Sequence, residues 1–288
     1  MEKQPHILFF GHIPKTAGST FKTILWRQYG ADRVFFSMEP SGHVHRFDEL
    51  AVRLLAGERP PAVIVTHAGY GAQERLPDTF SYPAITFLRE PIDRVVSGYY
   101  MFQRQGRIPK DMPLDRFVRT YLKPGCNMQT SFLSGYFWEC HRDGREPERE
   151  AFNEQMLARA RANLANHVVV GLTERFDDSL MLLRQAFGWD RRRMLYYRTN
   201  VGHNRAPTTR IPADVLRVVE EYNALDLALY DEARRLFEAQ WARHAEALER
   251  ELHAYRRLNR LYQHVAPRVV PLARQVVNGL KRIRFHGA

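Results

Sequence analysis

The feature that most constrains the fold is a short apolar run that leads directly into a loop of small and hydroxyl residues. Residues 6–13 read HILFFGHI, and the loop follows as PKTAGST over residues 14–20. Phe21, Ile24 and Leu25 then recur at the spacing of an amphipathic helix. A continuous apolar run is typical of a strand that is buried on both faces, as in a parallel sheet. The segment therefore predicts a buried strand, a tight loop and a helix.

Further apolar segments predict more strands of the same kind. They cover residues 62–66, 84–88 and 168–171, and residues 194–197 predict a last short strand. Helical patterns lie between these segments, and strands that alternate with helices imply a parallel sheet with polar loops at the carboxyl ends of its strands. The expected fold class is α/β, with three layers in which helices flank a central parallel sheet.

The chain of 288 residues is long enough for one such domain and an appendage. We expect the domain to span residues 1–240 and a helical extension to span residues 241–288, with breaks at Pro267 and Pro271. Past Pro271, apolar positions alternate with basic ones, which is typical of an amphipathic helix on an anionic membrane surface. Docking on its own domain is the alternative there. For residues 248–265, whose apolar positions recur at helical spacing, a packing helix and a dimer seam are open.

The chain carries a formal net charge of +11, from 43 Lys and Arg residues against 32 Asp and Glu residues. This charge favours anionic partners, but no nucleic-acid-binding motif is present, so we expect no nucleic acid among them. No apolar run reaches the roughly 18 to 20 residues that span a bilayer. Residues 1–5 are too short and polar for a signal peptide. The expected location is the cytoplasm, with the inner face of the membrane as an alternative.

The loop of residues 14–20 places a lysine, a glycine and hydroxyl side chains at the start of a helix. Backbone N–H groups, a cation and hydroxyls around one point can hold a phosphate there. Lys15 precedes Gly18, so the pattern GxxxxGK[ST] is absent and a standard nucleoside triphosphatase is disfavoured. The alternative is a capped helix start, with Ser19 or Thr20 as the cap and an exposed lysine.

Two other strand ends carry residues suited to bind an anion or to move a proton. Arg89 follows one strand, and Ser97 lies eight residues later on the next helix, so the two could share an anion. A surface arginine beside a solvent-facing serine is the alternative. His67 follows another strand, and a histidine titrates near neutral pH. A histidine that merely caps a turn is the alternative there.

Together these segments resemble a known family. Residues 14–20 resemble the loop of sulfotransferases that receives the 5'-phosphosulfate of 3'-phosphoadenosine 5'-phosphosulfate (PAPS), and residues 88–100, LREPIDRVVSGYY, resemble their 3'-phosphate-binding segment. The resemblance covers roughly residues 6–240 and is greatest to the carbohydrate branch that includes heparan sulfate and uronyl 2-O-sulfotransferases. It implies a P-loop-like α/β fold and transfer of a sulfuryl group from PAPS, without a metal, to an anionic or neutral carbohydrate.

The resemblance also implies roles for individual residues. Lys15 would stabilise the bridging oxygen and the 5'-phosphate, and His67 would be the catalytic base, with His12, His43 and His45 as alternatives. Two other functions remain open, a kinase-like nucleotide enzyme and a basic module that binds a surface. The chain could also form a homo-oligomer. The residues expected to bind PAPS are Lys15, Thr16, Ala17, Gly18, Ser19 and Thr20 in the loop, Arg89 and Ser97 at the 3'-phosphate, and Arg198 and Arg205 in a later loop.

Overall fold

The core of the molecule is one parallel sheet of five strands in the order β2-β3-β1-β4-β5. The computed structural model describes residues 5–37, 46–122, 127–144, 148, 151–197 and 211–285, with side chains described up to residue 267. The predicted α/β class with a central parallel sheet is confirmed. The strands are β1 Leu8–Gly11, β2 Val34–Phe36, β3 Val63–Thr66, β4 Ala84–Leu88 and β5 Val168–Leu172.

Helices cover both faces of the sheet. The three central strands β1, β3 and β4 are buried throughout, because parallel sheets have helices packed on each face. In the described part of the chain the helices are α1 Gly18–Tyr29, α2 Phe47–Leu55, α3 Pro91–Arg104, α4 Leu114–Tyr121, α5 Met128–Ser134, α6 Tyr136–Arg142, α7 Glu154–Asn166, α8 Phe176–Phe187, α9 Ala213–Tyr222, α10 Ala224–Ala242 and α11 Ala245–Phe285.

The residues of β1 show how the two faces are built. Successive side chains of a strand point to opposite faces. Leu8 and Phe10 belong to a large core that includes Phe21 of α1 and residues of α8 and α10. Phe9 belongs to a second core with Phe47 of α2. The central strand is therefore fixed from both sides, and so is the loop that follows it.

The prediction of a strand at residues 194–197 is wrong. A 3-10 turn covers Arg191–Met194, and the backbone that follows is bonded by side chains instead of by a neighbouring strand. The backbone oxygen of Met194 accepts from the Tyr255 hydroxyl at 3.0 Å, and the N–H of Tyr196 donates to Oδ1 of Asn259 at 2.9 Å. Both partners lie on α11, so this apolar segment is buried without joining the sheet.

The C-terminal helix departs from the expected pattern in one respect. α11 continues through Pro267 and Pro271 instead of breaking there, although each proline removes one backbone hydrogen bond. Its first turns belong to the main core through Leu248, Leu252 and Tyr255. The described residues include no helix that is long and apolar enough to cross a membrane. The side chains of residues 268–288 lie outside the described part, so membrane contact there remains a prediction.

Candidate functional site

The carboxyl ends of three adjacent strands bring the predicted site together. Since β1 lies between β3 and β4, the loop after β1 is flanked by His67, which follows β3, and by Arg89, which follows β4. In open parallel sheets, ligands bind at this edge. Segments far apart in the sequence thus meet around one loop.

The loop between β1 and α1 contains two residues with a left-handed backbone. Lys15 and Ala17 have φ of 72° and 63°, in the left-handed region that residues other than glycine rarely adopt. Such strain clusters at functional sites. The first turn of α1 has no hydrogen bond from a described capping side chain. The N–H groups of Thr20 and Phe21 donate to the backbone oxygen of Ala17, at 3.0 and 3.2 Å, so an anion at this helix end would be bound by the N–H groups of Gly18 and Ser19. The alternative of a side-chain cap by Ser19 or Thr20 does not describe this helix.

Thr16 has a structural position within the same loop. Its side chain is fully buried, and its hydroxyl donates a hydrogen bond to the backbone oxygen of Ile13 at 2.8 Å. Ser19, by contrast, is exposed at the start of α1. Thr16 therefore stabilises the turn from inside, while Ser19 is accessible from the solvent side where a phosphate would approach.

Arg89 connects the loop after β1 to helix α3. Its Nη1 donates to the backbone oxygen of Lys15 at 3.0 Å, and its Nε donates to Oδ2 of Asp93 at 2.7 Å. Ser97 lies one helical turn beyond Asp93 and is half-buried. Because the Asp93 carboxylate already bonds the guanidinium, an anion shared by Arg89 and Ser97 would have to join or replace that contact. The pairing of Arg89 and Ser97 on a 3'-phosphate stays a prediction.

His67 lies against a second imidazole, that of His12 at the end of β1. The ring centroids are 4.3 Å apart and the ring planes are inclined by 42°. Burial, followed by the charge of Lys22, lowers the pKa of His67 to about 4, although a hydrogen bond to the backbone of His12 opposes this shift. Burial first, and then the charges of His67, Lys22 and Lys15, lower the pKa of His12 to about 2. Both rings are therefore neutral at pH 7.

Lys22 is a component of this site that the sequence analysis missed. It is half-buried, its Nζ lies 6.0 Å from the centroid of the Phe36 ring, and burial lowers its pKa. Lys22 lies four residues after Gly18 on α1, so the two share a helix face. This four-residue spacing could have identified Lys22 as a site residue from the sequence. Its ammonium group adds positive charge close to the two histidines.

Position 18 must be a glycine because the His12 ring leaves no room for a Cβ atom there. A Cβ atom built on Gly18 would lie 1.9 Å from Nε2 of His12, far inside contact distance. We expect Gly18→Ala to lower the free energy of unfolding by about 1 to 3 kcal/mol, since the imidazole or the loop must move. Denaturant unfolding measures this change. Gly98→Ala on α3, where a Cβ meets nothing within 4 Å, should be neutral or stabilising. Equal behaviour of the two variants would contradict the packing argument.

Four of the proposed site residues lie outside the described part of the chain. They are Arg198 and Arg205, expected to contact the nucleotide, and His43 and His45, the alternative bases. Their roles remain predictions. His12, the other alternative base, is 7% exposed, and its ring packs against Gly18. It is therefore less accessible to an acceptor than His67.

The fold defines a class first: α/β proteins with a central parallel sheet, in which ligands bind at the carboxyl ends of the strands. The comparison with family models is more specific. The galactose-3-O-sulfotransferase model matches residues 2–268, so the chain belongs to that family. This confirms the predicted carbohydrate sulfotransferase family, whereas the narrower likeness to 2-O-sulfotransferases remains a prediction.

Individual relatives agree with this assignment. Galactose-3-O-sulfotransferase 3 of Homo sapiens is 28% identical over 252 residues, which cover 82% of this chain and 58% of the relative. Its Mus musculus counterpart is 28% identical over 248 residues, or 81% and 56%. Galactosylceramide sulfotransferase of Mus musculus is 28% identical over 262 residues, or 85% and 59%. The chain thus spans less than two thirds of these relatives.

Proposed function

We propose that this chain transfers a sulfuryl group from PAPS to a hydroxyl of a carbohydrate, with His67 as the base. The observation that carries the proposal is the grouping of Lys15, His67 and Arg89 at the ends of three adjacent strands. Arg89 bonds the backbone of Lys15 directly, so the two donor-binding segments form one unit. Membership in the galactose-3-O-sulfotransferase family supports the same chemistry.

The chemistry requires an in-line arrangement in which His67 and Lys15 act on opposite ends of the reacting bonds. His67 takes the proton of the acceptor hydroxyl, whose oxygen forms the new bond to sulfur. The bond between sulfur and the 5'-phosphate oxygen breaks, and its electron pair stays on the phosphate, where Lys15 and the α1 N-terminus stabilise the charge. The products are a sulfate ester and 3',5'-ADP. Positioning and charge do the catalytic work, as in phosphoryl transfer.

We propose a terminal galactose, in a glycan or a glycolipid, as the first acceptor to test. The support is the names of the relatives, which specify galactose and galactosylceramide. The net charge of +11 is also compatible with an acidic glycan. Transfer of labelled sulfuryl groups to lactose, to galactosylceramide in micelles and to a uronic acid polysaccharide would distinguish these classes.

The donor site is tested by calorimetry with 3',5'-ADP, 5'-AMP and ATP. We expect tight binding of 3',5'-ADP in preference to the other two, and Arg89→Ala should weaken it by about 10- to 100-fold, the loss of a charged hydrogen-bonded pair. Arg59→Ala is the matched control, because Arg59 is exposed and precedes β3 at the opposite edge of the sheet. Equal binding of the three nucleotides, or none, would refute the sulfotransferase proposal.

A further inference from the structure

A buried amide fixes the backbone of Arg89. The N–H of Arg89 donates to Oε1 of Gln129 at 2.9 Å, and Nε2 of Gln129 donates to the backbone oxygen of Arg89 at 2.9 Å. Gln129 is fully buried in helix α5. Arg89 lies just past the end of β4, so these two bonds continue the restraint that the sheet provides up to Leu88. The amide sets both the position and the orientation of this peptide.

Gln129 is in turn held by a buried carboxylate. Oδ2 of Asp226 accepts from the N–H of Gln129 at 3.1 Å, and Oδ1 accepts from the N–H and the hydroxyl of Thr130, both at 2.8 Å. Asp226 lies in the first turn of α10 and is fully buried. It satisfies N–H groups at the start of α5, which otherwise lack partners within that helix. The first turn of α5, and with it Gln129, is thereby anchored to α10.

The same carboxylate is linked to helix α3. Nη2 of Arg94 lies 3.8 Å from Oδ2 of Asp226, and both side chains are buried. Oδ1 of Asn127 accepts from the N–H groups of Leu225 and Asp226, at 3.0 and 3.1 Å. Helices α3, α5 and α10 thus meet in one polar network directly behind Arg89. The hydrogen bonds that Asp226 and Asn127 accept hold α5 and α10 together, whereas the buried Nε of Arg94 has no hydrogen-bond partner in the described structure.

We infer that Gln129 is a positioning residue of the donor site, which fixes the Arg89 backbone and thereby determines discrimination in favour of ligands that carry a 3'-phosphate. The inference rests on the proposed function. A guanidinium selects a phosphate through charged hydrogen bonds whose strength depends on their geometry, so displacement of the Arg89 Cα weakens binding of the 3'-phosphate. Gln129 touches Arg89 through the backbone alone, so its effect passes entirely through position.

The test is the ratio of two dissociation constants, for 5'-AMP and for 3',5'-ADP. Gln129→Met keeps the length of the side chain and removes both hydrogen bonds to Arg89. We expect the ratio to fall at least about tenfold, because the Arg89 side chain no longer meets the 3'-phosphate in a fixed position. The dissociation constant for 5'-AMP should rise less, because the 5'-phosphate loop keeps its own hydrogen bond from Thr16 to Ile13 even if the bond from Arg89 to Lys15 is weakened. Calorimetry on the full chain gives both constants.

Thr130→Val is the matched control. Thr130 is as buried as Gln129 and bonds Asp226 as well, but in the described structure it makes no hydrogen bond to Arg89. This variant should lower the unfolding temperature and leave the ratio unchanged. A ratio that falls equally in both variants would mean that the network acts through general stability, and the inference would be wrong.

A second variant keeps the inference testable if Gln129→Met does not fold. Gln129→Asn keeps the amide but shortens the side chain by one methylene, so it cannot make both hydrogen bonds to Arg89. A reduced ratio supports the inference, and an unchanged ratio overturns it. A wild-type protein that does not distinguish 3',5'-ADP from 5'-AMP refutes the proposed function instead. If the wild type prefers 3',5'-ADP over 5'-AMP and the Gln129 variants do so equally, only the positioning role is refuted.

Discussion

Lys15→Met is expected to lower the rate constant for sulfuryl transfer by about two to three orders of magnitude, the usual effect of removing one preorganised electrostatic contact. The loop places Lys15 three residues before α1, and in the proposed reaction negative charge develops on the leaving phosphate at that helix end. Methionine keeps a long unbranched side chain, with sulfur in place of one methylene, and lacks the ammonium group. The left-handed φ of 72° is equally unfavourable for both residues, so the backbone strain does not change. Single-turnover transfer of labelled sulfuryl groups measures the effect.

Two further variants separate charge from geometry at this position. Lys15→Arg keeps the charge but replaces a compact ammonium with a planar guanidinium, so an intermediate rate is expected. Lys110→Met removes an exposed lysine and should leave the rate unchanged. A rate for Lys15→Met within tenfold of wild type would assign the charge stabilisation to another group, and Lys22 would be the first one to examine.

The sequence predicted the location of the site better than its internal contacts. Continuous apolar runs marked β1, β3, β4 and β5, and parallel strands necessarily align their carboxyl ends at one edge. Lys15, His67 and Arg89 each follow one of these strands, so their proximity followed from topology. β2 was missed because three residues, Val34–Phe36, are too few to show a pattern.

The contacts within the site depend on pairs that are distant in sequence. Gln129 is 40 residues from Arg89 and 97 from Asp226, so no local pattern identifies its role. Residues 194–197 are apolar like a strand, but their backbone is bonded by side chains of α11, about 60 residues later. Only tertiary packing decides whether such an apolar segment joins the sheet or is bonded by side chains of a helix. Lys22 differs, because its four-residue spacing from Gly18 was visible in the sequence.

His67→Gln is expected to lower the rate constant for transfer by about two to four orders of magnitude, the range for loss of a general base. Glutamine has a similar shape and can still donate a hydrogen bond to the backbone of His12, but it cannot take a proton. Binding of 3',5'-ADP should stay within about twofold, because the nucleotide contacts of the proposed site lie on the other strands. His253→Gln, an exposed histidine on α11, serves as the control.

The pH dependence tests the same residue independently of the substitution. The ratio kcat/KM reports the free enzyme, in which the pKa of His67 is lowered to about 4. Because the neutral imidazole is the proposed base, kcat/KM should be level between about pH 6 and 8 and should decrease only as the pH falls towards about 4. A decrease centred near the ordinary histidine pKa of about 6.5 would contradict the buried, Lys22-facing environment of this ring.

The stability of the fold should also depend on pH through His67 and His12. Measuring it shows whether a loss of activity in His67→Gln comes from the missing base or from a damaged fold. The unfolded chain binds protons at His67 and His12 near their ordinary pKa of about 6.5, whereas the folded chain does so only near 4 and 2. This stabilising contribution is therefore complete above pH 6.5 and is lost as the pH falls below it. In His67→Gln only the His12 part remains, so the unfolding temperature should decrease less between pH 6.5 and 4 than in wild type. An inactive variant with the wild-type pH dependence of stability would place the lost activity elsewhere than in this buried imidazole.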